Sequence, residues 1–575
     1  MWTPVILDIL FTASLVTATH SHKRETSDYD WSSITPSKQL KYHDCYDGYT
    51  CARLQVPLDW QNPENYSQSV AIAIVTLPAT VPNTSASFGG TVLINPGGPS
   101  GSGTDMALEL GHYLQETFDG ERHYEILGFD PRGVAFSTPR ADCYSGDEIR
   151  RAVDQLQSTG IPSPKLGPTT LEYLYQSHLG ASRLCAEADD GSIFAHMSTA
   201  SVARDMLEIV ERVDELKHTA SNSSIQARSK KPNLQYYGVS YGTYLGNTFA
   251  SMFPDRIGRM VIDGVEDPHD YLKGTWEKNL NDFEKVLDHF YKTCFEAGVE
   301  CPLKKDSDRS AGAIRERVSS FLNNLEVSPV SAVYQGRASL VTSLLVRTLI
   351  HTALYSPITK YESLSIALAE SLAGNHTLVL ENSAVDLESA CEIKNVTYPA
   401  ESYSWSDNAA SGILCGDSAL DAGNRSLTWA RDIVDTLYEQ SPTAGEAWTK
   451  IPLSCVGWNF KPNFLFRGPF GSSAQSVKGS NHTSNAPLLV ISNRYDHATP
   501  LANAYAVSQS HAGSTVVVQE SFGHCALLTS RSNCTANIVS EYFNTGRIPE
   551  HGTVCEQDCI PSIPFKACPG LPDYS

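Results

Sequence analysis

"YYGVSYGTYLG", Tyr236 to Gly246, sets Ser240 between two glycines where an apolar run meets the start of a helical pattern. A glycine-rich turn is one reading. The sharper one is a nucleophile elbow, the G-x-S-x-G turn that lifts a serine hydroxyl to the top of a sheet. Five residues do not decide between them, so the rest of the chain must supply the context.

On both sides of this stretch, short β-branched and aliphatic runs end in Gly, Pro or Asn. They are residues 69–77, 90–95, 124–130, 234–239, 259–264, 487–492 and 514–519. Such runs read as buried strands. Helical patterns lie between some of them. "SVARDMLEIVERVDELK" puts Val202, Met206, Ile209, Val210 and Val213 on one face. Alternating strands and helices predict an α/β fold built on a mostly parallel sheet. From Glu266 to Lys450 the patterns are mainly helical, which predicts a cap inserted between two parts of a core. The expected organisation is a leader over 1–18, core over 40–265, helical cap over 266–450, core again over 451–550, and a Cys-rich tail over 551–575. Residues 158–168 and 219–233 read as exposed loops.

A serine needs a base to take its proton and a third group to orient that base. On a sheet carrying an elbow, the chain order is nucleophile, acid, histidine. "PLLVISNRYDHATP" supplies Asp496 just past a late strand, and "STVVVQESFGHCALL" supplies His524 after the next. His497, His511 and His551 are the competing bases, and Asp263 is the fallback acid. The developing oxyanion needs preorganised backbone N–H donors. Tyr241 follows the serine, and Gly97 and Gly98 lie in "LINPGGPSGSGTDMA", a loop whose glycines let backbone approach a ligand. That loop has neither the G-x-x-x-x-G-K-[ST] nor the G-x-G-x-x-G pattern, which argues against nucleotide binding. No cofactor and no metal are expected.

The 575 residues carry a formal net charge of −21, which disfavours nucleic acid as a partner. Hydrophobic residues make up 41%, enough for a large core. An apolar run near Val5–Val16 with small residues at Val16 and Ala18 reads as a secretory leader, although no Lys or Arg precedes it and Asp8 interrupts it. It is too short for a stable membrane span. Lys23-Arg24 is a possible second processing point. Sequons at Asn65, Asn83, Asn222, Asn375, Asn395, Asn424, Asn481 and Asn533, with 14 cysteines, also point to export as a secreted glycoprotein. Cys45/Cys51, Cys294/Cys301 and Cys525/Cys534 are close enough in sequence to close short loops. Cys555, Cys559 and Cys568 favour disulfides over a metal. The oligomeric state is not legible.

"NPGGPSGSG", "FDPRGVAFSTP", "GVSYG", "DGVEDP", "DHATP" and "FGHC" follow one another along the chain. In this order they resemble the tripeptidyl aminopeptidase group of the prolyl-aminopeptidase-related serine peptidases, secreted α/β-hydrolases. The resemblance spans roughly residues 89 to 552. It implies Ser240 as nucleophile, Asp496 as acid, His524 as base and oxyanion contacts around Gly97, Gly98 and Tyr241. It also implies a C-terminal region typical of these peptidases. Ser100 stands where that family's loop has a further glycine. The expected activity is release of short peptides or single residues from free N-termini. An esterase or lipase-like enzyme, a hydrolase tailoring a small metabolite, and a non-catalytic binding protein are the alternatives. An acidic group for the substrate ammonium is required by the first reading, and Glu266 and Asp267 are its candidates.

Overall fold

A computed structural model describes residues 29–65, 67–188, 191–220, 231–381, 403, 405–472 and 487–571. The leader, Lys23-Arg24 and the sequon asparagines Asn222, Asn395 and Asn481 lie outside them. Twelve strands are described: β1 (His43–Asp44), β2 (Thr50–Pro57), β3 (Ser69–Leu77), β4 (Phe88–Asn95), β5 (His123–Phe129), β6 (Leu234–Val239), β7 (Ile257–Asp263), β8 (Val330–Tyr334), β9 (Arg337–Val341), β10 (Leu489–Tyr495), β11 (Thr515–Phe522) and β12 (Val554–Glu556). Ten form one sheet in the order β1-β2-β3-β5-β4-β6-β7-β10-β11-β12. The pairs from β5 to β12 are parallel, and those among β1, β2, β3 and β5 are antiparallel.

Parallel neighbours need crossovers, so helices cover both faces of the sheet. Successive strand residues therefore feed opposite cores. Leu93, Tyr236, Ile262 and Val490 lie in one, and Ile94, Tyr237, Val261 and Ile491 in the other. The first is covered by the helices Thr199–Ala220 and Tyr241–Met252 through Met206, Ile209, Leu245 and Phe249. The second is covered by Gly103–Phe118 and Asn533–Thr545 through Leu110, Leu114, Val539 and Phe543. This layering puts the C-terminal ends of β4, β6, β7, β10 and β11 along one edge, where ligands bind in such sheets.

The strand reading missed β2. Arg53 and Gln55 break its apolar run, yet its other residues are mostly buried against β3. Between β7 and β10 the described chain is mainly helical, with Phe283–Ala297, Ala311–Val327, Ser343–Leu354, Pro357–Leu372, Ser406–Asp417 and Leu427–Gln440. It also holds the β8–β9 hairpin, which periodicity did not announce. Two helices ahead of β6, Glu148–Thr159 and Pro168–Glu187, belong to the same region in space. Ser163 between them is buried, at 2.8 Å from the Tyr438 hydroxyl, and the Ser182 hydroxyl donates to Val456 O at 2.6 Å. The loop over 158–168 is thus not wholly exposed.

Among the described residues six disulfides are formed: Cys45–Cys51, Cys143–Cys185, Cys294–Cys301, Cys415–Cys455, Cys534–Cys555 and Cys559–Cys568. The short Cys525/Cys534 pairing is not among them. Cys525 is a buried free thiol packed under the sheet edge, while Cys534 faces β12 and bonds Cys555. Through β12 the tail adds a parallel edge strand to β11. Asn65, Asn83, Asn375, Asn424 and Asn533 are all exposed. Among the described residues no helix is long and apolar enough to cross a membrane.

Candidate active site

Ser240 is the first residue after β6 and precedes the helix Tyr241–Met252. Its backbone has φ 55 and ψ −129, a conformation that an L-residue holds only under constraint. Three contacts supply that constraint. Ser240 N–H donates to Asp263 O at 3.1 Å, Thr243 N–H donates to Ser240 O at 2.8 Å, and the Tyr236 hydroxyl donates to Gly242 O at 2.8 Å. Glycine at 242 is a steric requirement, because a Cβ there would lie 2.8 Å from Asn95 O. The spacing of the motif is the spacing of this turn.

Asp496 follows β10, and His524 lies two residues past β11. His524 Nδ1 is 3.0 Å from both Asp496 oxygens. The fully buried carboxylate also accepts from Ala498 N, Thr499 N, the Thr499 hydroxyl and Cys525 N, at 2.8 to 3.2 Å. Burial alone would raise its pKa. The His524 charge and hydrogen bond, together with these donors, outweigh burial and hold it below the usual carboxylate value. The bonding pattern assigns the His524 proton to Nδ1, which leaves Nε2 as the acceptor. Nε2 is buried and has no hydrogen-bond partner among the described residues.

The β4 exit loop closes on the serine. A Cβ on Gly97 would sit 2.7 Å from Ser240 Cβ and 3.0 Å from Tyr241 N, so only glycine permits this approach. The Gly97 N–H is taken up by Asn95 Oδ1 at 3.0 Å. The structure therefore separates the two glycines: Gly97 supplies proximity, and Gly98 follows it with φ 112. Ser100 has φ 93, a conformation that favours glycine.

Residues 90–303 match the family described as alpha/beta hydrolase fold, and residues 441–555 match the family described as TAP-like protein. The chain has the α/β-hydrolase fold. It is 25% identical to the tripeptidyl aminopeptidase of Streptomyces lividans over 526 residues, 89% of this chain and 84% of the relative. The serine protease Hip1 of Mycobacterium bovis is 25% identical over 88% of this chain and 87% of its own length. Carboxylesterase B of Mycobacterium tuberculosis is 30% identical over 257 residues, 45% of this chain and 44% of the relative. With these relatives and this fold the chain is an enzyme, a serine hydrolase similar to peptidases over most of its length.

The hydrolase's other candidate histidines take different places. His511 is buried between Asn247 Oδ1, at 2.7 Å, and the Ser472 hydroxyl, at 3.0 Å. His551 is exposed. His497 is fully buried, and neither ring nitrogen has a partner among the described residues. Burial holds it well below the usual imidazole value. Its ring centroid lies 4.6 Å from Tyr355, 5.4 Å from His351 and 6.3 Å from His524. His351 in turn lies 5.4 Å from Trp448, so a row of rings runs from the base into the helical layer.

The two acidic candidates of the hydrolase diverge. Asp267 caps the helix Pro268–Lys273 and pairs with Lys278. Glu266 is buried, and its N–H donates to Thr243 Oγ1, which itself donates to Ser240 O. Its Oε2 accepts from Asn279 Nδ2 at 3.0 Å, and its Oε1 accepts nothing among the described residues. Asp270 Oδ1 and Asn279 Oδ1 are likewise buried and unpartnered. Burial first, then Asp270 and Asp267, push the Glu266 carboxyl well above its usual value. Sequence reading named Glu266 but not Asp270 or Asn279. Only the fold turns their acceptors inward. Among the described residues no cluster of His, Cys, Asp or Glu is arranged to hold a metal ion.

Proposed function

We propose that the chain is an aminopeptidase that releases short peptides or single residues from free N-termini by two-step acyl transfer. Ser240 Oγ attacks the substrate carbonyl while His524 Nε2 takes its proton, and Asp496 steadies the imidazolium. The backbone N–H groups of Gly98 and Tyr241 stabilise the tetrahedral oxyanion. His524 then protonates the leaving amine. Water, deprotonated by the same nitrogen, frees the acyl group. One observation carries the choice of a free N-terminus: three buried acceptor atoms, on Glu266, Asp270 and Asn279, have no donor among the described residues. A substrate ammonium has three N–H donors and no acceptor, so it fits them in number and charge. Its charge also favours the ionised form of Glu266, which burial opposes.

The test pairs free-amine di- and tripeptidyl anilides with their N-acetylated forms. Acetylation removes the charge and leaves the carboxylate buried and unpaired, a cost of about 3 kcal/mol, or about a hundredfold in kcat/KM. Glu266→Gln should erase most of that discrimination. Equal rates on free and blocked substrates, with faster turnover of simple esters, would instead favour an esterase. The likeness to a carboxylesterase over 257 residues keeps that second reading in play.

We also propose that the enzyme is secreted and glycosylated. The five exposed sequon asparagines and the six disulfides support an oxidising route.

A further inference from the structure

Asp263, the last residue of β7, touches the segments that carry all three members of the proposed triad. Its carbonyl accepts the Ser240 N–H at 3.1 Å. In the sheet it stands opposite Val239 of β6 and Ile491 of β10, the strands that deliver Ser240 and Asp496. Its fully buried carboxylate accepts from Ala526 N at 2.6 Å, Leu527 N at 3.0 Å and the Tyr237 hydroxyl at 3.1 Å. Ala526 and Leu527 lie two and three residues beyond His524. The next residue, Gly264, closes the gap: a Cβ there would meet Cys525 Sγ at 2.6 Å and His524 Cε1 at 3.3 Å.

We propose that Asp263 is a positioning residue that indexes the histidine loop to the nucleophile elbow, and so sets the approach of His524 Nε2 to Ser240. The inference rests on the triad proposed above. Ladder hydrogen bonds already hold β6, β7 and β10 in register. His524 lies beyond β11 in a turn whose residues Gly523 and Cys525 have φ 109 and 70. β10 and β11 hold the turn from their side, through Gly523 N–H on Tyr495 O at 3.1 Å, Asn493 Nδ2 on Gly523 O at 2.8 Å and Gln519 Nε2 on Ala526 O at 3.0 Å. The two N–H groups bound by Asp263 tie its far end to β7, whose backbone also holds Ser240. Without their acceptor they would be buried and unsatisfied, and the turn would move to find others. A carboxylate suits this place because three donors approach its two oxygens. An asparagine would turn an NH2 toward one of them. Asp263 is not the orienting acid, since His524 Nδ1 bonds Asp496.

The experiment compares full-length Asp263→Asn with Asp205→Asn. Asp205 is another fully buried carboxylate, paired with Arg132 and outside the triad segments. For Asp263→Asn we expect kcat to fall about tenfold to a hundredfold, because small misplacements of reacting groups cost that much. KM should stay within about twofold, since no substrate contact is removed. The rate of Ser240 labelling by a fluorophosphonate should fall in step with kcat. Asp205→Asn should lose thermal stability and keep its kcat per folded molecule. If Asp263→Asn does not fold, Tyr237→Phe removes one donor from the same carboxylate and should lower kcat about threefold. Unchanged kcat and labelling rate in a folded Asp263→Asn, or in Tyr237→Phe, would overturn the proposal. Label appearing away from Ser240 in the wild type would instead overturn the triad.

Discussion

His524 presents Nδ1 to both oxygens of Asp496 at 3.0 Å and leaves Nε2 buried with no partner among the described residues. An imidazole held this way presents Nε2 as its acceptor, and its tautomer depends on the carboxylate. Asp496→Asn should therefore leave the fold intact and lower kcat by about four orders of magnitude, as loss of the orienting charge does in serine triads. Steady-state kinetics on a free-amine anilide checks this. A loss under tenfold would mean that another group orients the ring.

The serine itself has a cleaner test. Ser240→Ala removes the Oγ and keeps the backbone of a turn held by Tyr236, Thr243 and Asp263. Turnover should drop by about four or more orders of magnitude with little change in melting temperature. A serine-directed phosphonate should mark wild-type protein at residue 240 and leave the variant unlabelled.

Ser100 offers a stability gain. Its φ of 93 lies where L side chains are strained, and the left-handed region costs such residues roughly 1–2 kcal/mol. Ser100→Gly should stabilise the protein by about 1 kcal/mol, net of the extra freedom glycine has when unfolded. Denaturant midpoints would measure it, and a lower midpoint would show that the serine side chain contributes more than its backbone costs.

The buried histidine His511 should make itself felt in acid. Burial lowers its pKa from the ordinary imidazole value of about 6.5 to about 4. Between those values the unfolded chain binds a proton that the folded chain refuses. The contribution of His511 is thus full above about pH 6.5 and lost as the pH falls toward 4. Buried Asp130 and Asp417, pushed up to about 7 and about 6 chiefly by burial, titrate in the opposite sense. The readout is therefore the difference between wild type and His511→Gln. The variant's stability should fall less steeply between pH 6.5 and 4. Parallel curves would place the missing proton elsewhere.

Local sequence was enough to put Ser240, Asp496 and His524 just past strand ends, because each stands where a strong strand pattern stops. β6, β10 and β11 are runs of residues that only a buried sheet accommodates, and a doubly covered sheet delivers its functional groups at the strand ends. The glycines around Ser240 and in the β4 exit loop were equally legible, since a close backbone approach leaves no substitute for them. Other features depended on distant chain coming together. β2 hid behind Arg53 and Gln55, which interrupt its apolar run although most of its other residues are buried in the sheet. Cys534 found Cys555 rather than Cys525, because β12 returns to the sheet edge. Asp263 read as a spare acid, and only the packing of β7 against the His524 turn gives its carboxylate two N–H groups to hold. Glu266 and Asp267 are adjacent and alike in sequence. The fold gives one a lysine and leaves the other a bare oxygen, because their side chains leave the backbone in different directions and burial does the rest.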